Sequence, residues 1–320
     1  MKAIIFRLSA FFCLAGTLVS CMQQAGEEER LFSLEIDAAL SIPSRVTGDT
    51  GAGESHVSAF QIFVFDREGL LEASGRSSSG SVSLRCRAGD KTIRALANAP
   101  VPSSILRLSD LEMLVSRLDD NAPGSLVMYG AADISVRADM RAAVVLERLC
   151  AKVVVGKISK SFTSSVLQQK TLLIRRIYMT NVAADRTLVP SVISLWYNKL
   201  GYQGDGSSLL CDAVGRVAAP TLDEVHTFYV YPNGSLSGVR GGAWSPRPTR
   251  LVIDAELDGV RCYYVIDIPG IEGNHAYELS DIVLTRPGAG DEESLSTGSA
   301  VRFTFNVVPW SGAASYVENL

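Results

Sequence analysis

From Leu31 to Arg45 the chain reads LFSLEIDAALSIPSR, with Phe32, Leu34, Ile36, Ala38, Leu40 and Ile42 at every even position. Ser33, Glu35, Asp37 and Ser41 take most of the odd positions. A period of two sustained over eleven residues predicts a β-strand with one buried and one wet face. At ~3.3 Å per residue it spans about 36 Å, enough to run the full edge of a sheet. Pro43 and Arg45 then open a polar run, VTGDTGAGESHVS, with little that packs. A strand suited to burial is thus joined to the rest of the chain by a loop that opens on a basic residue.

The following pattern is mostly strand. Val57–Asp66 is β-branched and aromatic on both faces, as in a central strand. Asp66–Gly69 turns the chain. Ser81–Arg87 alternates Val82, Leu84 and Cys86 inward, and Ala88–Lys91 reads as a hairpin loop into Thr92–Ala97. Ser109 and Glu112 form a capping-box pattern, and Leu111, Leu114, Val115 and Leu118 follow at helical spacing, which predicts one short helix over Ser109–Leu118. Leu126–Ala131, Ile134–Val136 and Ala142–Leu146 return to strand character. These segments predict an antiparallel sandwich over residues 31–145, its first strand being 31–45. A second unit, 146–320, begins near Arg148 with Ala151–Ile158, Leu172–Val182, Phe228–Tyr231, Leu251–Leu257, Cys262–Ile268, Tyr277–Leu284 and Val301–Val308. Short β-rich runs between turn residues predict a second sandwich, so the expected class is all-β with one short helix. Pro190–Gly215 reads as a surface excursion. Pro287–Gly298 is an acidic loop whose carboxylates lack EF-hand spacing.

The beginning of the chain adds a destination. Lys2 and Arg7 provide a charged start, and Ile4–Val19 is mostly apolar, too short to span a bilayer comfortably and shaped like a secretory signal. It closes on Leu18-Val19-Ser20-Cys21, which resembles a bacterial lipobox, with Cys21 acylated as the first mature residue; the competing reading is an ordinary signal peptide with a chance cysteine. Residues 1–20 are then the signal and 21–30 a polar tether. The covalent lipid on Cys21 is the only group the sequence asks for, and no cofactor is expected.

Charge and cysteine content narrow the remainder. With 30 Lys+Arg against 34 Asp+Glu and a net charge of −4, no basic surface for nucleic acid is expected. An apolar content of 47% is ample for a core. Setting aside Cys13 and Cys21, Cys86, Cys150, Cys211 and Cys262 remain, without CxxC spacing. Three disulfide pairings are open to them, and small buried apolar residues are the simpler account.

Catalytic patterns are sparse. His56, His226 and His275 are isolated, and no nucleophile elbow, P-loop, dinucleotide fingerprint or HExxH occurs. Asp254, Glu256 and Asp258 read as one wet face of a strand rather than catalytic carboxylates. Asn233-Gly234-Ser235 reads as a turn. Trp196, Tyr197, Tyr202 and Trp244 read as core plugs beneath loops, with a sugar-binding platform as the rival. The chain is not expected to be an enzyme.

Several segments together resemble the fimbrillins of Bacteroidales, the lipoprotein precursors of adhesive type V pili. They are the alternating strand closed by Arg45, FQIFVFDREG at Phe60–Gly69, LERLCAKVVV at Leu146–Val155, FYVYPN at Phe228–Asn233, PTRLVIDAELDGVRCYYVIDIP at Pro248–Pro269, NHAYELSDIVLTRPG at Asn274–Gly288 and FNVVPW at Phe305–Trp310. The resemblance implies two tandem transthyretin-like, Greek-key sandwiches and a precursor carried to the outer membrane on its lipid. It also implies a cut after an arginine, here Arg45, by a trypsin-like protease. Loss of the first strand then leaves a groove once filled by Phe32, Leu34, Ile36, Leu40 and Ile42, and a terminal strand of a neighbouring subunit, here carrying Val307, Trp310 and Tyr316, fills it. Partners would be other fimbrial subunits and a host protein or glycan. Anchor and tip subunits that keep the first strand are the alternative within the family, and a glycan-binding surface lipoprotein that never assembles is the rival outside it.

Overall fold

A computed structural model describes residues 30–40, 53–198, 209–218, 221–236 and 246–310. Cys21, Ile42, Arg45, Tyr202, Trp244 and Tyr316 lie outside these residues.

The first half contains β1 (Leu31–Leu40), β2 (Phe60–Phe65), β3 (Leu71–Ser77), β4 (Ser81–Arg87) and β5 (Gly89–Ala97). Helix α1 (Leu108–Glu112), β6 (Val115–Arg117), β7 (Met128–Val136) and β8 (Met140–Arg148) follow. Seven of these strands form one sheet in the order β3-β2-β5-β7-β8-β1-β4. The DREG turn forms as expected, with Asp66 accepting from the N–H groups of Glu68 and Leu70 at 3.0 and 2.8 Å and Gly69 at φ +75°. The expected hairpin at Ala88–Lys91 does not form. Strand β4 pairs with β1, whereas β5 pairs with β2 and β7, so Gly89 at φ +119° makes a corner between distant parts of the sheet. Alternation sets which face each strand buries but not its neighbour, and a glycine turn serves a corner as well as a hairpin. The sheet is also not purely antiparallel, because β1 runs parallel to β8.

The expected helix over Ser109–Leu118 is shorter than its apolar spacing suggests. It ends at Glu112, and Val115–Arg117 turns extended to pair with Asp185–Thr187 of the second half. That pairing supplies backbone partners that a second helical turn would have had to find within itself, a tertiary override of local preference. The helix starts earlier too: Arg107 stands at its N-cap, and Asp110 at the third helical position reaches back to accept from the N–H groups of Leu106 and Arg107 at 3.1 and 2.8 Å.

The second half opens with β9 (Ala151–Val155), β10 (Ile158–Lys160) and a second short helix, α2 (Ser165–Gln168), absent from the expected pattern. Strand β11 (Leu172–Thr180) precedes six short strands, β12 (Val182–Ala183), β13 (Asp185–Thr187), β14 (Trp196–Tyr197), β15 (Cys211–Asp212), β16 (Arg216–Val217) and β17 (Thr221–Leu222). Longer strands return with β18 (His226–Val230), β19 (Thr249–Leu257), β20 (Val260–Ile268), β21 (His275–Leu284) and β22 (Val301–Pro309). One sheet runs β17-β10-β21-β9-β18 with β22 attached to β21, and its partner runs β15-β11-β19-β20 with β16 attached to β11. Here β21 is parallel to both β9 and β10. The all-β sandwich class holds, with mixed rather than wholly antiparallel pairing.

Two large apolar clusters, and a small third one around Tyr178, Val252 and Val265, lie among the described residues. Leu34, Ile36, Phe60, Ile62, Val64, Ile93, Val144 and Leu146 belong to one made wholly of first-half residues. A larger one joins Phe63, Phe65, Leu111, Leu118 and Val127 of the first half to Val153, Ile253, Tyr231 and Leu279 of the second. The Tyr231 hydroxyl lies 2.7 Å from Ser116 Oγ, accepts from Asn121 Nδ2 at 3.0 Å and donates to the Arg117 carbonyl at 3.0 Å. Apolar packing and a buried polar staple therefore both cross between the halves.

Candidate strand-exchange site

The alternation over Leu31–Leu40 forms β1 because its even residues find an apolar pocket and its backbone finds two partners. Leu34 and Ile36 are fully buried, Ala38 nearly so, and Phe32 and Leu40 are half-buried against the same cluster. Leu34 to Leu40 pair with Met140 to Leu146, and Leu31 to Asp37 pair with Arg87 to Ser81. The strand is therefore not the sheet edge its length suggested but lies between β8 and β4. Removing it leaves a slot with two hydrogen-bonding rims and an apolar floor. At ~1.5–3 kcal/mol for each large buried side chain, the fully and half-buried residues contribute on the order of 5–8 kcal/mol of apolar burial. On the wet face, Arg141 Nε and Nη2 donate to Asp37 at 2.5 and 3.1 Å. That bond holds the Asp37 carboxyl below its usual range, against the opposing effect of burial.

At the other end of the chain, β22 pairs with β21 along its length, with a register shift opposite Ser280–Val283. Among the described residues nothing pairs with its outer edge. Val301 is buried, but residues 302–309 are exposed or half-buried, with Phe303 and Phe305 39% exposed and Val307 47%. These three share one face, giving β22 the same period-two apolar row as β1.

Trp310 sits differently, 4% exposed at the end of this strand. Its indole N–H donates to Glu54 Oε2 at 3.1 Å, and its ring stacks on Tyr229 with centroids 5.8 Å apart. The Arg148 guanidinium lies 4.5 Å from the ring centroid and donates to the Trp310 carbonyl at 3.2 Å. Glu54 also accepts from Lys152 Nζ at 3.0 Å and from the Tyr229 hydroxyl at 2.7 Å. Burial, then the Glu54 carboxylate, push the Tyr229 hydroxyl pKa upward. Glu54, Arg148, Lys152 and Tyr229 did not emerge from the sequence as site residues. Arg148, Lys152 and Tyr229 fall within LERLCAKVVV and FYVYPN, but no local pattern pairs them with a glutamate 94 to 175 residues upstream.

Other candidates resolve as structure. Asp254 does not line a wet face: it is fully buried, accepting from Arg261 at 3.0 and 2.8 Å and from Arg176 at 3.3 Å. Those long side chains reach over the sheet to cover it, which strand alternation cannot reveal. Cys86, Cys150 and Cys262 are buried free thiols, and Cys211 is half-buried. Asn233 holds its turn, donating to Arg247 O at 2.8 Å and accepting from Ser235 N–H at 3.0 Å. Trp196 and Tyr197 are half-buried and pack on the main core. The described residues contain no group of His, Cys, Asp and Glu placed to hold a metal ion.

This arrangement of sheets is the fold of bacterial fimbrial and cell-adhesion proteins. A fimbrilin from Porphyromonas gingivalis superposes with a TM-score of 0.63 at 15% identity, covering 88% of this chain and 98% of that one. A candidate cell adhesion protein from Bacteroides eggerthii gives 0.65 at 15%, covering 88% and 96%. The tip fimbrial protein Mfa3 of P. gingivalis, solved with a C-terminal truncation, gives 0.55 at 15%, covering 88% and 100%. No protein-family model and no curated protein sequence matches the chain.

Proposed function

We propose that the chain is a structural subunit of an adhesive cell-surface pilus, without catalytic activity. It is exported as a lipoprotein on Cys21, held at the outer membrane, cut after Arg45 by a trypsin-like protease and polymerised with other fimbrial subunits by strand exchange. The observation that carries this reading is the placement of β1. It fills an apolar slot between β8 and β4, and the chain leaves it directly into the segment containing Arg45. One cut there separates the strand and its lipid from the rest of the subunit and leaves a two-rimmed acceptor, which an incoming strand of the same period fills by backbone pairing and apolar burial. The exposed row Phe303, Phe305 and Val307 supplies that period on a strand whose outer edge is unpaired among the described residues. The likeness of fold to a fimbrilin supports the same reading.

The second reading, an anchor or tip subunit that keeps β1, draws on its two pairing partners and buried side chains, which resist removal. Limited trypsin treatment of the purified lipid-bearing chain separates the two. The polymerising subunit gives one cut between Arg45 and Val46 followed by detergent-resistant polymer, and Arg45→Ala leaves a stable lipid-bound monomer. Polymer from Arg45→Ala would sink the strand-release reading. A wild-type chain that stays uncut at Arg45 and monomeric supports the anchor or tip.

A further inference from the structure

We infer that the Glu54 cluster is a lock that fixes the last strand to the body of the subunit and ties its release to the segment following Arg45. Between Val301 and Trp310 no residue of β22 is fully buried; Val308 packs partly on the core and Phe305 lies against Tyr277, so beyond these and its backbone pairing to β21 the strand is held mainly by its two ends. The Trp310 end is gripped from four other places in the chain. Glu54 takes the indole N–H, Arg148 at the end of β8 takes the carbonyl, Tyr229 of β18 stacks on the ring, and the Asn274 carbonyl before β21 accepts the Trp310 N–H at 2.9 Å. Glu54 is the common element. Its carboxylate neutralises Lys152, and its own carbonyl and the hydroxyl of Ser55 accept from Arg148 at 3.0 and 2.9 Å.

A buried charge cluster differs from an apolar plug in being conditional. Withdraw one ion, and the partners left behind are stranded in a dry site. The position of Glu54 makes that condition meaningful. Leu40 pairs with Leu146, and Arg148, two residues further along β8, grips Glu54, so β1 and Glu54 are held by adjacent stretches of one strand. The intervening segment, residues 41–52, contains Arg45. With the chain intact, Glu54 is covalently joined to β1; after a cut at Arg45 it is the ninth residue of a new amino terminus and that connection is gone. Loss of β1 and loosening of β22 thereby become linked events. The purpose of the lock rests on the strand-exchange reading, but its existence does not.

Hydrogen exchange read by mass spectrometry on the full, unassembled chain in detergent tests the inference. Glu54→Gln is expected to raise exchange over residues 302–309 roughly ten- to hundredfold, the effect of losing bonds to a charged group, while β19 and β20 keep wild-type rates. Trp310→Phe, which keeps a ring but loses the indole N–H, is expected to raise it several-fold and guards against a Glu54 variant that does not fold. Wild-type chain cut by trypsin should exchange faster over 302–309 than uncut chain, and trypsin-treated Arg45→Ala should not. Wild-type exchange over 302–309 in both variants, or a rise shared equally with β19 and β20, overturns the lock; equal rates in cut and uncut chain overturn its link to cleavage. A chain whose β22 loosens on cutting but never polymerises keeps the lock and refutes the strand-exchange reading, so the two fail separately.

Discussion

Leu34 and Ile36 carry most of the hold that β1 has on the sheet, each being fully buried among Phe60, Val64 and Val144. Leu34→Ala or Ile36→Ala should lower the stability of the uncut chain by about 2–5 kcal/mol, measured by denaturant unfolding. Ser33→Ala, on the wet face, should change it by less than about 0.5 kcal/mol. Asp37 adds a pH dependence whose sign is fixed. Its folded pKa is depressed below the ordinary value of 3.8 by Arg141, so its contribution is complete above that value and is lost as pH falls through the folded value. Acid unfolding of wild type should therefore be steeper below about pH 4 than that of Arg141→Ala; superimposable acid profiles would rule the pair out as a contributor. Asp254 is the contrasting case, a fully buried carboxylate covered by Arg176 and Arg261. Removing both arginines strands the charge and should cost about 3 kcal/mol or more, whereas Asp254→Asn with the arginines in place should cost less, again read by denaturant unfolding.

Among elements, strands were the most legible. Ser81–Arg87 was readable to the residue, and Thr249–Leu257 and Val260–Ile268 to within two, because alternation reports directly on a strand with one buried face. Pairing was not legible. Nothing in β4 or β5 says that they belong to different neighbours, and nothing in β1 says that it lies between β8 and β4 rather than at an edge. The helix over Ser109–Leu118 failed for the same reason: its second half is claimed by Asp185–Thr187, a partner remote in sequence. Of the site, the apolar rows of β1 and β22 could be read in advance, since each is local. The Glu54 cluster could not, since its members come together only in the folded chain. An exposed apolar edge also makes a prediction. Phe305→Lys should leave monomer stability within about 0.5 kcal/mol, as expected for an exposed site, yet suppress assembly, because Lys on an edge strand opposes pairing. Undiminished polymer from that variant would show that the Phe305 face takes no part.

For the whole molecule, residue 145, the expected division, lies within β8, the strand that ends at Arg148. The seven-stranded sheet is built within Leu31–Arg148, while Phe65, Leu118 and Val127 pack with second-half residues and Tyr231 bonds back to Ser116 and Arg117. We propose the division as one between sheets, with the second half able to fold but marginal alone. A chain beginning at Leu146 should unfold at lower denaturant than the same region in the intact protein, since it leaves Tyr231 and Leu279 uncovered. At the opposite end, Cys21→Ala should abolish membrane attachment without changing the unfolding midpoint, and fatty-acid label on that variant would contradict lipidation at Cys21.

The central claim is that β1 leaves and another copy's strand takes its place. The most direct measurement is the amino-terminal sequence of the subunit in assembled, detergent-resistant material. Cleavage after Arg45 predicts a sequence beginning at Val46, with no peptide from Leu31–Leu40 in the polymer. A subunit that begins at or before Leu31 and carries that peptide into the polymer would contradict it.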